Sequence, residues 1–121
     1  MDISSKLGLM AVGSAEGNLL LVDPYAYGVI NGRKAHNSEV ISVYVFDEQQ
    51  QIITIGVDRT ICVWDAYRLE KLQQLKDVIS THTPKFSSST FDKTTGTLYI
   101  GCQSIKLWHA VSDQKIEIKA L

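Results

Sequence analysis

The sequence predicts an all-β fold built from about three copies of one four-stranded antiparallel unit. Three observations support this: stretches of β-branched residues between turn residues, a self-similar period, and little helical periodicity. Trp64 and Trp108 lie 44 residues apart, and each follows an Ile by three residues. We expect one domain over residues 1–121, formed by an incomplete set of repeats whose copies end near Asp23, Asp65 and His109.

The middle copy predicts its strands most clearly. Residues 40–46 (VISVYVF) are apolar on both faces apart from Ser42, as expected of a strand that lies between two neighbouring sheets. A turn at 47–50 separates this strand from 52–56, and a tight turn then leads into the β-branched stretch 60–65. Residues 67–75 have the spacing of an amphipathic helix, but the repeat places a strand there, so we predict a strand.

The outer copies predict less complete units. Few residues precede Leu9, so we expect the first copy to lack its innermost strand. In the third copy, residues 114–119 alternate polar and apolar, which is typical of a half-exposed strand with a protected edge.

Composition narrows the classes of function. The chain has 121 residues, 45% of them hydrophobic and 21% charged, and its net charge of −1 offers no basic surplus for nucleic acid or anionic membranes. No apolar stretch approaches the roughly 20 residues that span a bilayer, and the first residues do not resemble a secretory signal. Cys62 and Cys102 are too few for a disulfide framework and are interpreted as inert thiols. We therefore expect a cytoplasmic protein.

One set of polar residues gives the middle copy a specific signature. His36 lies 28 residues before Trp64, Asp58 lies six before it, and Thr54 lies four before Asp58. With the closing Trp64–Asp65 pair, this pattern resembles the repeat of the WD-repeat β-propeller family. The resemblance is strong in the middle copy and partial in the two flanking copies.

The resemblance implies four-stranded antiparallel blades and a buried hydrogen-bonded tetrad of His36, Thr54, Asp58 and Trp64. These residue types suit such a chain, because Trp only donates, ionised Asp only accepts, and Thr and neutral His do both. The flanking copies depart from the pattern: Val22 replaces the Trp and Glu16 the Asp in the first, while Gln103 lies near the Asp position and His109 replaces the final Asp in the third.

The number of copies predicts an incomplete ring. Closed propellers have roughly 4 to 8 blades, so about three copies cannot close one. We expect the remaining blades to come from the rest of a longer chain or from another chain. We also expect the isolated chain to be unstable, aggregated or multimeric, because terminal repeats expose apolar faces.

Other interpretations of the polar residues are weaker. His36, Asp58 and a hydroxyl from Thr54 or Ser42 have the composition of a hydrolase triad, but inside a blade the hydroxyl is inaccessible to substrate. The histidines and cysteines lack the paired spacing of zinc ligands, and Ser14 stands where a phosphate-binding loop requires Lys. We predict no catalytic residue, no metal and no cofactor.

The fold-level resemblance implies a non-catalytic scaffold that mediates protein–protein interaction within a larger assembly, with a protein or peptide as partner and neither nucleic acid nor membrane. The alternative is that these are structural blades of a larger multidomain enzyme or regulatory protein, including those of cilia or the cytoskeleton. Family geometry brings the loop entering each blade and the turn between its second and third strands to one rim. The partner-binding residues predicted from it are Asn37, Glu39, Val57, Arg59 and Lys85.

Overall fold

A computed structural model describes residues 2–4, 8–26, 28–57, 60–75, 89–100, 103–106 and 118–120. These residues form three four-stranded antiparallel sheets, each joining strands in the order of the sequence. The first sheet contains β1 (Asp2–Ser4), β2 (Leu9–Gly13), β3 (Asn18–Val22) and β4 (Val29–Lys34). The middle sheet contains β5 (Val40–Phe46), β6 (Gln51–Gly56), β7 (Ile61–Asp65) and β8 (Lys71–Leu75). The third sheet contains β9 (Ser89–Asp92), β10 (Thr97–Ile100), β11 (Gln103–Lys106) and β12 (Ile118–Ala120).

The expectation of a missing strand in the first copy was wrong. Strand β1 pairs with β2 in the register Asp2 to Ala11 and Ser4 to Leu9, which completes a four-stranded sheet. Three residues are enough to make this pairing, so the short segment before Leu9 supplies the innermost strand.

The remaining strand predictions for the middle copy agree with the structure. Strand β5 has the predicted bounds, and the segment with helical spacing forms a turn followed by β8. A short 3₁₀ helix at Asp47–Gln49 occupies the predicted turn. Of the strand predicted at 114–119, only 118 and 119 lie within the described residues, and both belong to β12.

Two apolar clusters pack the three sheets face to face. Alternating residues of the middle sheet, including Val45, Ile52 and Cys62, pack against Leu19 and Leu21 of the first sheet. The opposite face of the middle sheet packs against the third sheet through a second cluster: Phe46, Ile53, Ile55, Ile61, Val63, Leu75, Phe91 and Leu98. The middle sheet is therefore covered on both faces, which explains why its strands are apolar at successive positions.

Strand direction places the connections on two rims. The β2–β3 turn, the linker 35–39 and the β6 end at Gly56 share one rim, where Val40 N–H donates to the Ser14 carbonyl at 3.1 Å. We call this the upper rim. The turns β3–β4, β5–β6 and β7–β8 lie at the opposite ends of the same strands, on the lower rim, where Ala66 N–H donates to the Gln50 carbonyl at 2.9 Å. Among the described residues, no helix has the length and apolar character to cross a bilayer.

Candidate interaction site

A buried hydrogen-bonded chain joins the linker to two strands of the middle sheet. The Trp64 indole N–H donates to Thr54 Oγ1 at 3.0 Å, and Thr54 Oγ1 lies 2.9 Å from His36 Nε2. Trp64 comes from β7, Thr54 from β6 and His36 from the linker. All three side chains are buried, so the chain fixes the linker against the sheet edge.

Each group in this hydrogen-bonded chain has a defined donor or acceptor role. Thr54 Oγ1 accepts the hydrogen bond from the indole N–H. The Thr54 hydroxyl then donates its own proton to His36 Nε2 when the imidazole proton is on Nδ1. The predicted fourth member, Asp58, lies outside the described residues, and its bond to His36 stays a prediction. Thr54 is 0% exposed and its oxygen is already engaged, so no substrate reaches it as a nucleophile.

Backbone hydrogen bonds clamp the linker between the first and middle sheets. The Ala35 and His36 N–H groups both donate to the Gly17 carbonyl, at 2.8 and 3.0 Å. Farther along, Val57 N–H donates to the Glu39 carbonyl at 3.0 Å. The linker is thus bonded to a turn of the sheet before it and to a turn of the sheet after it.

Gly17 is required at this clamp, although the repeat signature does not include it. Its φ of +92° is a conformation that L side chains rarely adopt. A Cβ at this position would lie 2.1 Å from the His36 carbonyl oxygen and 2.6 Å from that of Ser38. The signal available in the sequence was the turn 14–17 that ends in this glycine, but nothing in it indicates the approach of the linker.

The predicted partner-binding residues that the structure describes lie around the clamp. Asn37 and Glu39 are exposed on the linker, and Val57 is 48% exposed where β6 ends. The hydrogen bond between the Val57 and Glu39 backbones brings these two positions together. Arg59 and Lys85 lie outside the described residues. The upper rim of the middle sheet therefore presents a small mixed surface of amide, carboxylate and apolar groups.

One further side chain near the tetrad was not anticipated from the sequence. The Lys71 ammonium lies 5.5 Å from the centroid of the Trp64 ring, over its face. The β7–β8 register shifts between Val63 and Trp64, which places Lys71 directly opposite Trp64. A register irregularity of this kind has no clear signal in the strand pattern.

The described residues contain no group of three or more His, Cys, Asp or Glu side chains placed to hold a metal ion. Cys62 is buried in the cluster between the first and middle sheets, where its Sγ lies 3.9 Å from the Ala35 carbonyl oxygen.

Comparison with solved structures decides the fold. The chain is similar to the β-propeller domain of Cps50 (Swd1) from Myceliophteria thermophila, with a TM-score of 0.72 over 98% of this chain and 10% sequence identity. The three sheets are β-propeller blades. This chain spans 36% of the length of that chain, and within the described residues the three blades form no closed ring. In all, 379 solved chains match, so a likeness to any one of them identifies the architecture and not an activity.

No protein-family model matches the chain, and no curated protein matches it in sequence.

Proposed function

We propose that this chain is part of a WD-repeat β-propeller and acts as a non-catalytic scaffold that binds a protein partner at the upper rim of the middle blade. The observation that carries the proposal is the buried chain of His36, Thr54 and Trp64, which holds an exposed linker in one geometry. A rigid loop loses little conformational freedom on binding, which favours its use as a recognition surface.

The exposed groups on this rim suit a protein or peptide surface. Asn37 supplies an amide, Glu39 a carboxylate and Val57 an apolar side chain, and these lie next to one another on the rim. A mixture of this kind matches the polar and apolar groups of another protein better than a nucleic-acid backbone, which requires clustered cations.

The first blade supports the further proposal that other blades complete the assembly. Met10, Val12, Leu20 and Val22 are half-buried apolar residues on its face away from the middle blade, and Met10 pairs with Val22 while Val12 pairs with Leu20. In the sheet pairing, Val12, Leu20 and Val22 correspond to Thr54, Cys62 and Trp64. Those three lie on the face of the middle blade that packs against the first blade.

By the same packing relation, a preceding blade would pack on this face of the first blade. That blade would come from a longer chain or from another chain. The alternative, in which the blades support a larger enzyme or regulatory protein whose active groups lie elsewhere, would use the same face. A cytoplasmic location, including the cytoskeleton or the cilium, is also proposed. The sequence has only two cysteines, too few for a disulfide framework, which favours a reducing compartment.

The scaffold proposal is tested with matched acidic positions on the two rims. Glu39→Ala combined with Val57→Ser alters the upper rim, whereas Glu70→Ala removes an exposed carboxylate from the lower-rim turn of the same blade. In the full-length protein, the upper-rim variant should lose partners recovered from cell lysate, with its melting temperature unchanged. The Glu70 variant should retain them. Equal recovery by both variants would remove the upper rim as the binding surface.

A further inference from the structure

A small polar cleft opens where the linker leaves the first blade and passes β8. Its volume is about 130 Å³, and it is lined by Lys34, Ala35, His36, Asn37, Lys71 and Gln74. Ala35 and His36 are buried at its base, whereas the other four residues are exposed and open to an incoming group. Pockets for drug-sized ligands hold roughly 300–1,000 Å³, so this cleft suits one side chain of a larger partner.

The charge around the cleft has one sign. Among the described residues that line it, the two that carry a formal charge are Lys34 and Lys71, and none is a carboxylate. The Lys71 ammonium lies over the Trp64 ring, and the Lys34 ammonium donates to the Glu16 carbonyl at 2.6 Å. In the part of the chain that the structure describes, neither ammonium pairs with a carboxylate. The cleft therefore attracts an anionic group.

The lysine and amide side chains form a suitable donor set. The contact with Trp64 restrains Lys71, which lowers the entropy lost when its ammonium engages a ligand. Asn37 and Gln74 each carry an amide with two N–H donors. An ammonium and neutral amides together match the lone pairs of a carboxylate oxygen.

We infer that this cleft binds an Asp or Glu side chain of a protein partner, with Lys71 as its charged contact. The inference rests on the proposed scaffold function and names the chemistry of the partner. The cleft differs from the upper-rim surface, because Glu39 and Val57 are not among the residues that line it. A phosphate group shares the anionic chemistry, and the experiment distinguishes the two sources.

A protein ligand fits better than a membrane or a nucleic acid. Recognition of anionic lipid surfaces typically takes clusters of about 4–8 Lys or Arg residues, and the cleft has two lysines. The net charge of −1 provides no wider basic field for a phosphate backbone.

The test is an NMR titration of the full-length protein used in the upper-rim experiment. The probe is acetyl-Gly-Glu-Gly-amide, and its uncharged control is acetyl-Gly-Gln-Gly-amide. The Glu probe should shift the side-chain amide signals of Asn37 and Gln74 and the Trp64 indole N–H, with half-saturation on the order of 100 mM, because one exposed ionic contact binds weakly. The Gln control should leave these signals in place.

Three variants locate the charged contact. Lys71→Gln should raise the half-saturation concentration by roughly two- to fivefold, while Lys71→Arg keeps the charge and should retain binding. Arg68→Gln is the matched control, because it removes an exposed cation of the same blade that does not line the cleft.

Equal shifts with both peptides, or a Lys71→Gln variant that binds as well as the parent, would overturn the inference. Inorganic phosphate that saturates the same signals at lower concentration than the Glu probe would assign the cleft to a phosphate group instead. The titration uses no cellular partner, so its failure would leave the upper-rim experiment standing. Unchanged partner recovery in that experiment would leave the titration result standing.

Discussion

The middle and first blades contain similar apolar strands but bury them differently. Strand β6 of the middle blade is buried at every position, whereas β2 and β3 of the first blade alternate between buried and half-buried residues. Most of the half-buried positions are themselves apolar, and include Met10, Val12, Leu20 and Val22. The difference therefore lies in the neighbours and not in the residues, since only the middle blade has a described sheet against each face.

The two blades also differ in their polar network. The first blade has valine at both positions that correspond to the hydrogen-bonded pair Thr54 and Trp64. Replacing both partners of a buried hydrogen bond by apolar groups costs little, whereas removing one leaves the other unsatisfied. The first blade therefore forms its strands without a tetrad. In the middle blade, loss of any one member of the hydrogen-bonded chain leaves a buried polar group unsatisfied.

The largest effect is expected at the joint between these two blades. Gly17→Ala should destabilise the chain by at least about 3 kcal/mol, because a methyl group meets two linker carbonyls at a positive φ. The free energy of unfolding in denaturant measures this. Gly28→Ala is the control, since its Cβ would meet no atom within 4 Å, and it should change stability by less than about 0.5 kcal/mol. A tolerated Gly17→Ala would show that the linker does not pack on this turn.

Substitutions in the tetrad should destabilise the chain less than Gly17→Ala does. They should destabilise it more than substitutions at the corresponding positions of the flanking blades. Thr54→Val keeps the shape and leaves Trp64 N–H without its acceptor, so we expect a loss of about 1–3 kcal/mol by thermal unfolding. Asp58→Ala should act in the same direction. Glu16→Ala and Gln103→Ala, at the corresponding positions of the other two copies, should have smaller effects. Equal melting shifts at all these sites would contradict the tetrad assignment.

The junction between the middle and third blades should show a smaller effect. The Tyr44 hydroxyl lies 2.7 Å from Ser89 Oγ, and its ring lies 6.0 Å from that of Phe91. Tyr44→Phe removes the hydrogen bond and keeps the ring, so we expect a loss of about 1 kcal/mol. Tyr67→Phe, at an exposed tyrosine, is the control for a change in hydroxyl content alone. Identical melting temperatures for the two variants would show that the hydroxyl bridge contributes nothing.

The smallest change in stability is expected on the free face of the first blade. Met10→Ser combined with Leu20→Ser should alter the free energy of unfolding by less than about 1 kcal/mol, because both side chains already reach solvent. The same variant should reduce self-association of the isolated chain in light scattering. Tyr25→Ser, at a side chain that is 87% exposed, should leave self-association unchanged. A parent chain that is already a monodisperse monomer would contradict the need for further blades.

Features set by periodicity were predictable from the sequence, and those set by sheet geometry were not. The apolar run 40–46 predicted β5, because a strand between two sheets needs apolar residues on both faces. Strand β1 was missed because Asp2–Ser4 is too short to show a period, and its pairing with β2 depends on the rest of the sheet.

The candidate site divides in the same way. His36, Thr54 and Trp64 have the spacing of the repeat signature that the middle copy resembles, so the sequence alone indicated them. The place of Lys71 over Trp64 follows from a shift in the β7–β8 register, and the need for Gly17 follows from a contact between separate segments. Neither feature has a local signature, because each depends on how two parts of the chain meet.

The clamp on the linker also bears on the order in which the chain folds. The His36 N–H donates to the Gly17 carbonyl, and the Val57 N–H donates to the Glu39 carbonyl. Each hydrogen bond therefore closes a loop of about twenty residues, and the entropy cost of closure grows only slowly with loop length. Each joint is made from segments close in sequence, and it forms as soon as the next sheet begins to pair. We therefore expect the chain to assemble by stepwise addition, with the first and middle sheets joined before distant parts of the protein need to meet.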